Sequence, residues 1–230
     1  MSNLTKKQKI IQEKHDPEKT YSLEEAMDII QSVKSEKFDE SIDISVKLGV
    51  DPDKSDQNVR GAVTLPNSLG KEVKIAVFAD GDHASDAQNA GAEYVGMDDL
   101  AEKFQKDEVN VDVVISTNSA MKVVGKLGQV LGPKGLMPNP KTGTVSDDVV
   151  TAIKNVKAGQ VRFRTDKNGI IHGSIGKVSF EGNKIKANAS ALLEELRKLK
   201  PASAKGVYIG NIALSSTMGP GVKINPGELV

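Results

Sequence analysis

The chain has 230 residues and 24.5 kDa, with 31 Lys+Arg against 31 Asp+Glu, no Cys and no Trp. Without cysteine there is no disulfide framework, no Cys-ligated zinc or iron–sulfur centre and no thiol nucleophile, and a reducing, cytosolic setting is expected. The opening MSNLTKKQKIIQEKHD is too polar for a signal peptide, and no run approaches the roughly 20 apolar residues of a membrane helix, so a soluble chain with no membrane partner is expected.

Aromatics are only 3% of the residues, so Val, Ile and Leu must fill the cores of one large domain or two of about 100 residues. Lys6–Lys14 reads as a short basic helix. Ser22-Leu23-Glu24-Glu25 fits a capping box, and Leu23, Ala26, Met27, Ile30 and Val33 make one apolar stripe behind it. Between Ser41 and Leu48, Ile42, Ile44, Val46 and Leu48 alternate with Ser41, Asp43, Ser45 and Lys47, the period of a half-buried strand. Val59–Leu65 is expected to continue the same sheet, and Leu65-Pro66-Asn67-Ser68-Leu69-Gly70 to turn out of it.

The pattern then changes. Val73–Phe78 and Val111–Ile115 are mostly apolar short runs, separated by helix candidates at Ala84–Ala90 and Asp98–Gln105, as in a parallel α/β layer. Ser146 is expected to cap a helix bearing Val149, Ile153 and Val156 on one face, with Gly159 as its stop. Beyond Gly159 one-sided strands return. Val161 and Phe163 alternate with Arg162 and Arg164, Asp166-Lys167-Asn168-Gly169 makes a turn, and Ile170–Phe180 follows. A helix over about Ala189–Leu199 and strands at Val207–Leu214 and Gly221–Ile224 complete the chain. Both ends therefore read as α+β and the middle as α/β, which predicts residues 68–159 inserted in a domain built from 1–67 plus 160–230.

Charge follows the same division. Residues 1–67 and 68–159 each hold 10 basic and 13 acidic side chains, whereas residues 160–230 hold 11 and 5, a net of −3, −3 and +6. Positive charge gathered at one end of a neutral chain fits a nucleic-acid partner better than the total suggests.

Three features point toward enzymology and each has a plainer reading. Gly135–Thr142 is one residue from a phosphate-binding loop, but Pro140 stands where the second glycine belongs and has no N–H to offer a phosphate. Asp80 and Asp82, after an apolar strand, could hold magnesium for phosphoryl transfer, although a turn before a helix also favours Asp and Gly, with Asp82 as N-cap. His15, His83 and His172 lack ligand-like spacing, so no metal is expected. A small-ligand module using the α/β insertion is the other alternative. More distinctive are Gly132–Gly143, a stiff loop with three Pro and two Lys, and Ser215–Pro220, where small hydroxyl residues beside glycine allow a backbone or a ribose to approach closely. Phe38 could stack on a base or belong to the core.

These segments together resemble the bacterial form of the ribosomal protein L-one family, the first protein of the large ribosomal subunit. The resemblance rests on Lys37-Phe38-Asp39-Glu40, Ser55–Gly61, Leu131–Lys141 and Thr217-Met218-Gly219-Pro220, spread over nearly the whole chain. It implies a two-domain fold: an α+β RNA-binding domain built from both termini, and an inserted three-layer α/β domain of Rossmann-like type joined through a two-strand hinge. It implies no enzyme activity, catalytic residue or cofactor.

The implied partner is the ribosomal RNA stalk beside the tRNA exit site in the large subunit of the cytoplasmic ribosome, with release of deacylated tRNA assisted there. The leader of the chain's own messenger is a second implied partner, through which translation is repressed, and the free protein is expected to be a monomer. By matching position, the implied RNA surface comprises Lys37, Phe38, Ser41, Thr217, Met218 and Gly219, joined by Arg164, Asp166 and Lys167. Lys134, Gly135 and Lys141 form a secondary contact loop. Five or so phosphate contacts, drawn from the +6 segment, would give a salt slope of about −3.5 to −4.5.

Overall fold

A computed structural model describes residues 6–34, 38–70 and 72–228. In chain order the elements are α1 (Lys6–Lys14), α2 (Leu23–Ser32), β1 (Ser41–Leu48), β2 (Arg60–Thr64), β3 (Ile75–Phe78), α3 (Gly81–Asn89), β4 (Tyr94–Gly96), α4 (Asp98–Gln105), β5 (Val113–Ser116), α5 (Met121–Lys126), α6 (Gly128–Leu131), α7 (Val149–Lys157), β6 (Gln160–Arg164), β7 (Ile170–Lys177), α8 (Gly182–Lys198), β8 (Ile209–Ser216) and β9 (Gly221–Ile224). They fall into two compact units. One comprises the described residues up to Leu69 together with Val161 onward; the other is Gly70–Gln160.

The first unit is α+β. Its four-stranded sheet has the order β7-β1-β8-β9 with every pairing antiparallel. Strand alternation is clean in β1: Ile42, Ile44, Val46 and Leu48 are buried on one face, while Ser41, Asp43, Ser45 and Lys47 point to the other. Two helices cover the apolar face. The α2 capping box forms as expected, Ser22 Oγ accepting the Glu25 N–H and the Glu25 carboxylate accepting the Ser22 N–H, both at 3.1 Å. The stripe from Leu23 to Val33 is buried against the strands together with Leu192, Leu193 and Leu196 of α8.

Three expectations are corrected here. Val59–Leu65 does not continue the four-stranded sheet, because β2 pairs with β6 in a two-stranded sheet of its own whose Val63 and Phe163 join the same core. Helix α8 begins at Gly182, seven residues before the expected start. Its first turns are polar apart from the buried Ile185, and their other inward residue, Asn188, enters the core by satisfying its amide. That amide donates to Ile175 O at 2.7 Å and Asn67 O at 3.0 Å and accepts the Asn67 N–H at 2.9 Å. Val207 is 77% exposed and precedes β8, which starts at Ile209. One edge contact was not anticipated: Tyr21 bridges to Ile224 along the outer edge of β9.

The second unit has three layers. Its parallel sheet, β4-β3-β5, is buried on both sides. Ile75, Val77, Val113 and Ile115 pack against α3 and α7, and the alternate residues Ala76, Phe78 and Val114 against α4, α5 and α6. The short strand β4 and the helices α5 and α6 carry too few apolar positions to register a period in the sequence. Asp80, not Asp82, is the N-cap of α3, and Asp148, not Ser146, caps α7 by accepting the Thr151 N–H at 3.0 Å. Ser146 instead accepts the Asp148 N–H at 3.1 Å, one step outside the helix.

Candidate nucleic-acid interface

Strand β8 ends in a tight turn, and that turn is tied to the segment entering β1. The Thr217 N–H donates to Ser41 O at 3.1 Å, and Thr217 Oγ1 accepts the Ser41 N–H at 3.1 Å. The Met218 N–H donates to Glu40 Oε2 at 3.2 Å, and the Gly219 N–H closes the turn on Ser216 O at 3.1 Å. One residue earlier, the Asp39 carboxylate accepts both the N–H and the hydroxyl of Ser179, at 3.2 and 2.8 Å. Backbone donors thus go to carboxylates and carbonyls of the neighbouring segment, leaving the apolar side chains outward. Phe38 is 50% exposed and Met218 is 61% exposed. Two large apolar side chains presented on rigidly tied, adjoining segments can stack on or wedge between bases.

Gly219 has no room for a side chain, since a Cβ there would stand 2.5 Å from Ser216 Oγ. Ser216 Oγ is itself buried and meets no protein partner.

The site continues across the uncovered face of the sheet. Ser41, Asp43, Ser45 and Lys47 of β1 are flanked by His172 and Ser174 of β7, by Ala213 and Ser215 of β8, and beyond these by Gly221 and Lys223 of β9. This is a shelf of mostly short polar and small side chains, with Lys47, His172 and Lys223 among them, open to solvent while the opposite face is core. Sequence reasoning noticed the alternation in β1 and the stretch beginning at Ser215 but missed His172, Ser174 and Ala213 as parts of this face, since only the strand register places them beside β1. A run of Ser and Ala at alternate positions of one-sided strands was the available signal.

The candidates divide among separate places. Phe38, Ser41, Thr217, Met218 and Gly219 meet at one end of the sheet. Asp166 and Lys167 occupy the turn before β7 at the other end, where Lys47 Nζ donates to Asn168 O, about 20 Å away by strand rise. Both Asp166 and its neighbours are engaged locally. The carboxylate accepts the N–H groups of Asn168 and Ile170, each at 2.8 Å, and faces His172 Nε2 at 3.3 Å. The Ile170 N–H, then those of Asn168 and the imidazole, hold its pKa below the ordinary carboxylate value. Gly169, at φ +72°, completes that turn, where a non-glycine residue would be strained.

Arg164 is exposed on β6, outside the four-stranded sheet, and Lys37 lies outside the described residues. Lys134, Gly135 and Lys141 belong to the second unit. There Lys134 pairs with Asp107, Gly135 adopts φ +69°, and Lys141 sits in a 3-10 turn whose N–H is capped by Asn139.

Charge is distributed differently from the linear reading. Six of the basic residues of the last third, Lys184, Lys186, Arg197, Lys198, Lys200 and Lys205, lie on α8 or just after it, and α8 covers the opposite face of the sheet. The open face itself carries Lys47, Lys223 and Lys177, with Asp43 among them. The +6 of the last third is therefore not a +6 at the shelf.

Among the described residues no group of three or more His, Asp or Glu side chains could hold a metal ion, and no helix is long and apolar enough to cross a membrane. The fold is that of a two-unit mixed α/β protein whose distinctive surface is the uncovered polar face of its four-stranded sheet. Residues 30–220 match the model of the ribosomal protein L1p/L10e family. The chain is 57% identical to "Large ribosomal subunit protein uL1" of Saccharophagus degradans over 229 residues, covering 100% of this chain and 99% of the relative. It is 58% identical to the protein of that name from Pseudomonas paraeruginosa over 229 residues, 100% of this chain and 99% of the relative. Against that of Chromohalobacter salexigens it is 56% identical over 230 residues, the whole of both chains. This chain belongs to the ribosomal protein L1p/L10e family, a family of structural ribosomal proteins and not of enzymes.

Proposed function

We propose that this chain binds ribosomal RNA through the Thr217 end and the open face of its four-stranded sheet, at the stalk beside the tRNA exit site. It is a structural component of the large subunit of the cytoplasmic ribosome. The observation that carries the reading is the pair of exposed apolar side chains, Phe38 and Met218, held on segments tied by hydrogen bonds beside a polar shelf. Such a surface suits a folded RNA: stacking on unpaired bases comes from Phe38 and Met218, and close approach to ribose 2′-hydroxyls from the hydroxyl and glycine residues.

The proposal extends to two finer functions of the same surface. The protein assists release of deacylated tRNA as the stalk moves, and it represses its own operon when the messenger leader presents a segment of the same shape. The two-unit chain, in which residues 68–159 form the inserted domain, carries RNA on the domain of both termini. Lys134 and Lys141 contribute less, the first because Asp107 already neutralises it.

The test is equilibrium binding of the full chain to a stalk RNA fragment, a messenger leader fragment and a scrambled RNA of equal length, each across a salt series. Tight binding to the first two and weak binding to the third supports the reading. Equal affinity for all three overturns it.

A further inference from the structure

We infer that α1 is a basic arm that binds RNA phosphates alongside the sheet face, an inference that rests on the reading of that face as an RNA site. The shelf is short of positive charge. Lys47, Lys177 and Lys223 with Asp43 among them would support a salt slope of only about −2 to −3, below the about −3.5 to −4.5 expected for five or so phosphate contacts.

Helix α1 carries what the shelf lacks: four lysines against one glutamate in nine residues, KKQKIIQEK. Its described side chains, from Lys9 onward, pack little. Lys9, Gln12, Glu13 and Lys14 are exposed, Ile10 is 39% exposed, and neither Ile10 nor Ile11 joins a core. A nine-residue helix with so little burial is marginal in water, so its stable form needs a partner.

Its tether fixes which surface it can serve. The His15 ring stacks on Tyr21 at 5.9 Å between centroids, and the Asp16 N–H donates to the Tyr21 hydroxyl at 2.8 Å. Tyr21 in turn donates its N–H to Lys223 O at 2.9 Å, along the outer edge of β9. The residue that anchors the arm is thus bonded to one of the lysines of the shelf. A polyanion lying across the sheet passes beside this edge, and charge complementarity selects it over an apolar or basic partner.

The experiment compares the full chain with a variant lacking residues 1–14 and with one carrying Lys6, Lys7, Lys9 and Lys14 all replaced by Gln, on the stalk and scrambled fragments. Both variants are expected to unfold at the same temperature as the parent, to flatten the salt slope by about 2 to 3, and to lose about tenfold or more in affinity at 0.1 M salt. The ratio of stalk to scrambled binding stays within a few-fold. Circular dichroism should also show helix gained on RNA binding in the parent and not in the truncation. An unchanged slope in both variants overturns the arm. A parent chain that fails to discriminate stalk from scrambled RNA would instead overturn the site on which it rests, and the two failures are read separately.

Discussion

Met218 donates its backbone N–H to the Glu40 carboxylate at 3.2 Å, joining residues 178 positions apart, and Glu40 is 1% exposed. The exposed Met218 side chain is therefore positioned by a buried carboxylate on another segment. Glu40→Ala should cost about 1–3 kcal/mol in denaturant unfolding, from the lost acceptor, and should weaken stalk RNA binding at least tenfold. Glu40→Gln retains an amide oxygen for the same N–H and should recover most of both. Equal damage from the two variants would show that the negative charge, and not the geometry, is what the turn needs.

Met218→Asp separates binding from folding. At 61% exposure the side chain contributes little to the core, so the unfolding midpoint should move by no more than a degree or two. RNA affinity should fall by tenfold or more, since a carboxylate replaces an apolar contact beside phosphates. Matching losses in both measurements would place Met218 in the core.

Much of this was legible before the structure. The β1 alternation and the Ser22 capping box are local signals, and each element formed where its period or cap placed it. What stayed hidden depends on pairing across the chain. Nothing local in Val59–Leu65 says that it pairs with β6 and leaves the β1 sheet, and nothing in Ser174 or Ala213 says that both flank β1. Asn188 illustrates the other limit: a polar residue reads as surface until its partners, Asn67 and Ile175, are known. The gathering of positive charge in the last third was true of the sequence, but α8 carries much of it on the far side of the sheet.

Gly219→Ala should destabilise the turn by about 1–3 kcal/mol, because the added Cβ would stand 2.5 Å from Ser216 Oγ. Ser216→Ala alone should be close to neutral, since that hydroxyl meets no protein partner. The double variant should recover much of the loss, as the atom in conflict is gone. Thermal unfolding of the four proteins completes the cycle; simple additivity would mean that strain elsewhere in the turn, and not this contact, excludes a side chain.

Asp166 makes the turn before β7 sensitive to acid. Its pKa is lowered in the folded protein, first by the Ile170 N–H. Its contribution is therefore fully present above the ordinary carboxylate value and is lost as pH falls through the lower, folded value. Amide resonances of Asn168 and Ile170 should titrate together at that lower pH, and Asp166→Asn should abolish the transition. A midpoint at or above the ordinary carboxylate value would contradict the hydrogen bonds seen at 2.8 Å.

Removing the α/β unit tests whether the RNA surface is self-sufficient. The core beneath the four-stranded sheet contains no residue of β3, β4 or β5, whose own cores lie between α3 and α7 on one side and α4 to α6 on the other. The chain leaves and re-enters at neighbouring points: Val59, just before β2, exchanges hydrogen bonds with Thr165, just after β6, so the two strands run in opposite directions and Thr64 lies at the same end of the pair as Gln160. A short glycine-serine linker from Leu69 to Gln160 can therefore close the gap without unpairing either strand. The shortened protein should unfold cooperatively, sediment as a monomer and bind the stalk fragment within about tenfold of the full chain. In the full chain, Lys134→Ala with Lys141→Ala should cost less affinity than Met218→Asp, Lys134 being already paired with Asp107. A shortened protein that folds and does not bind would move the principal RNA contact into residues 70–159.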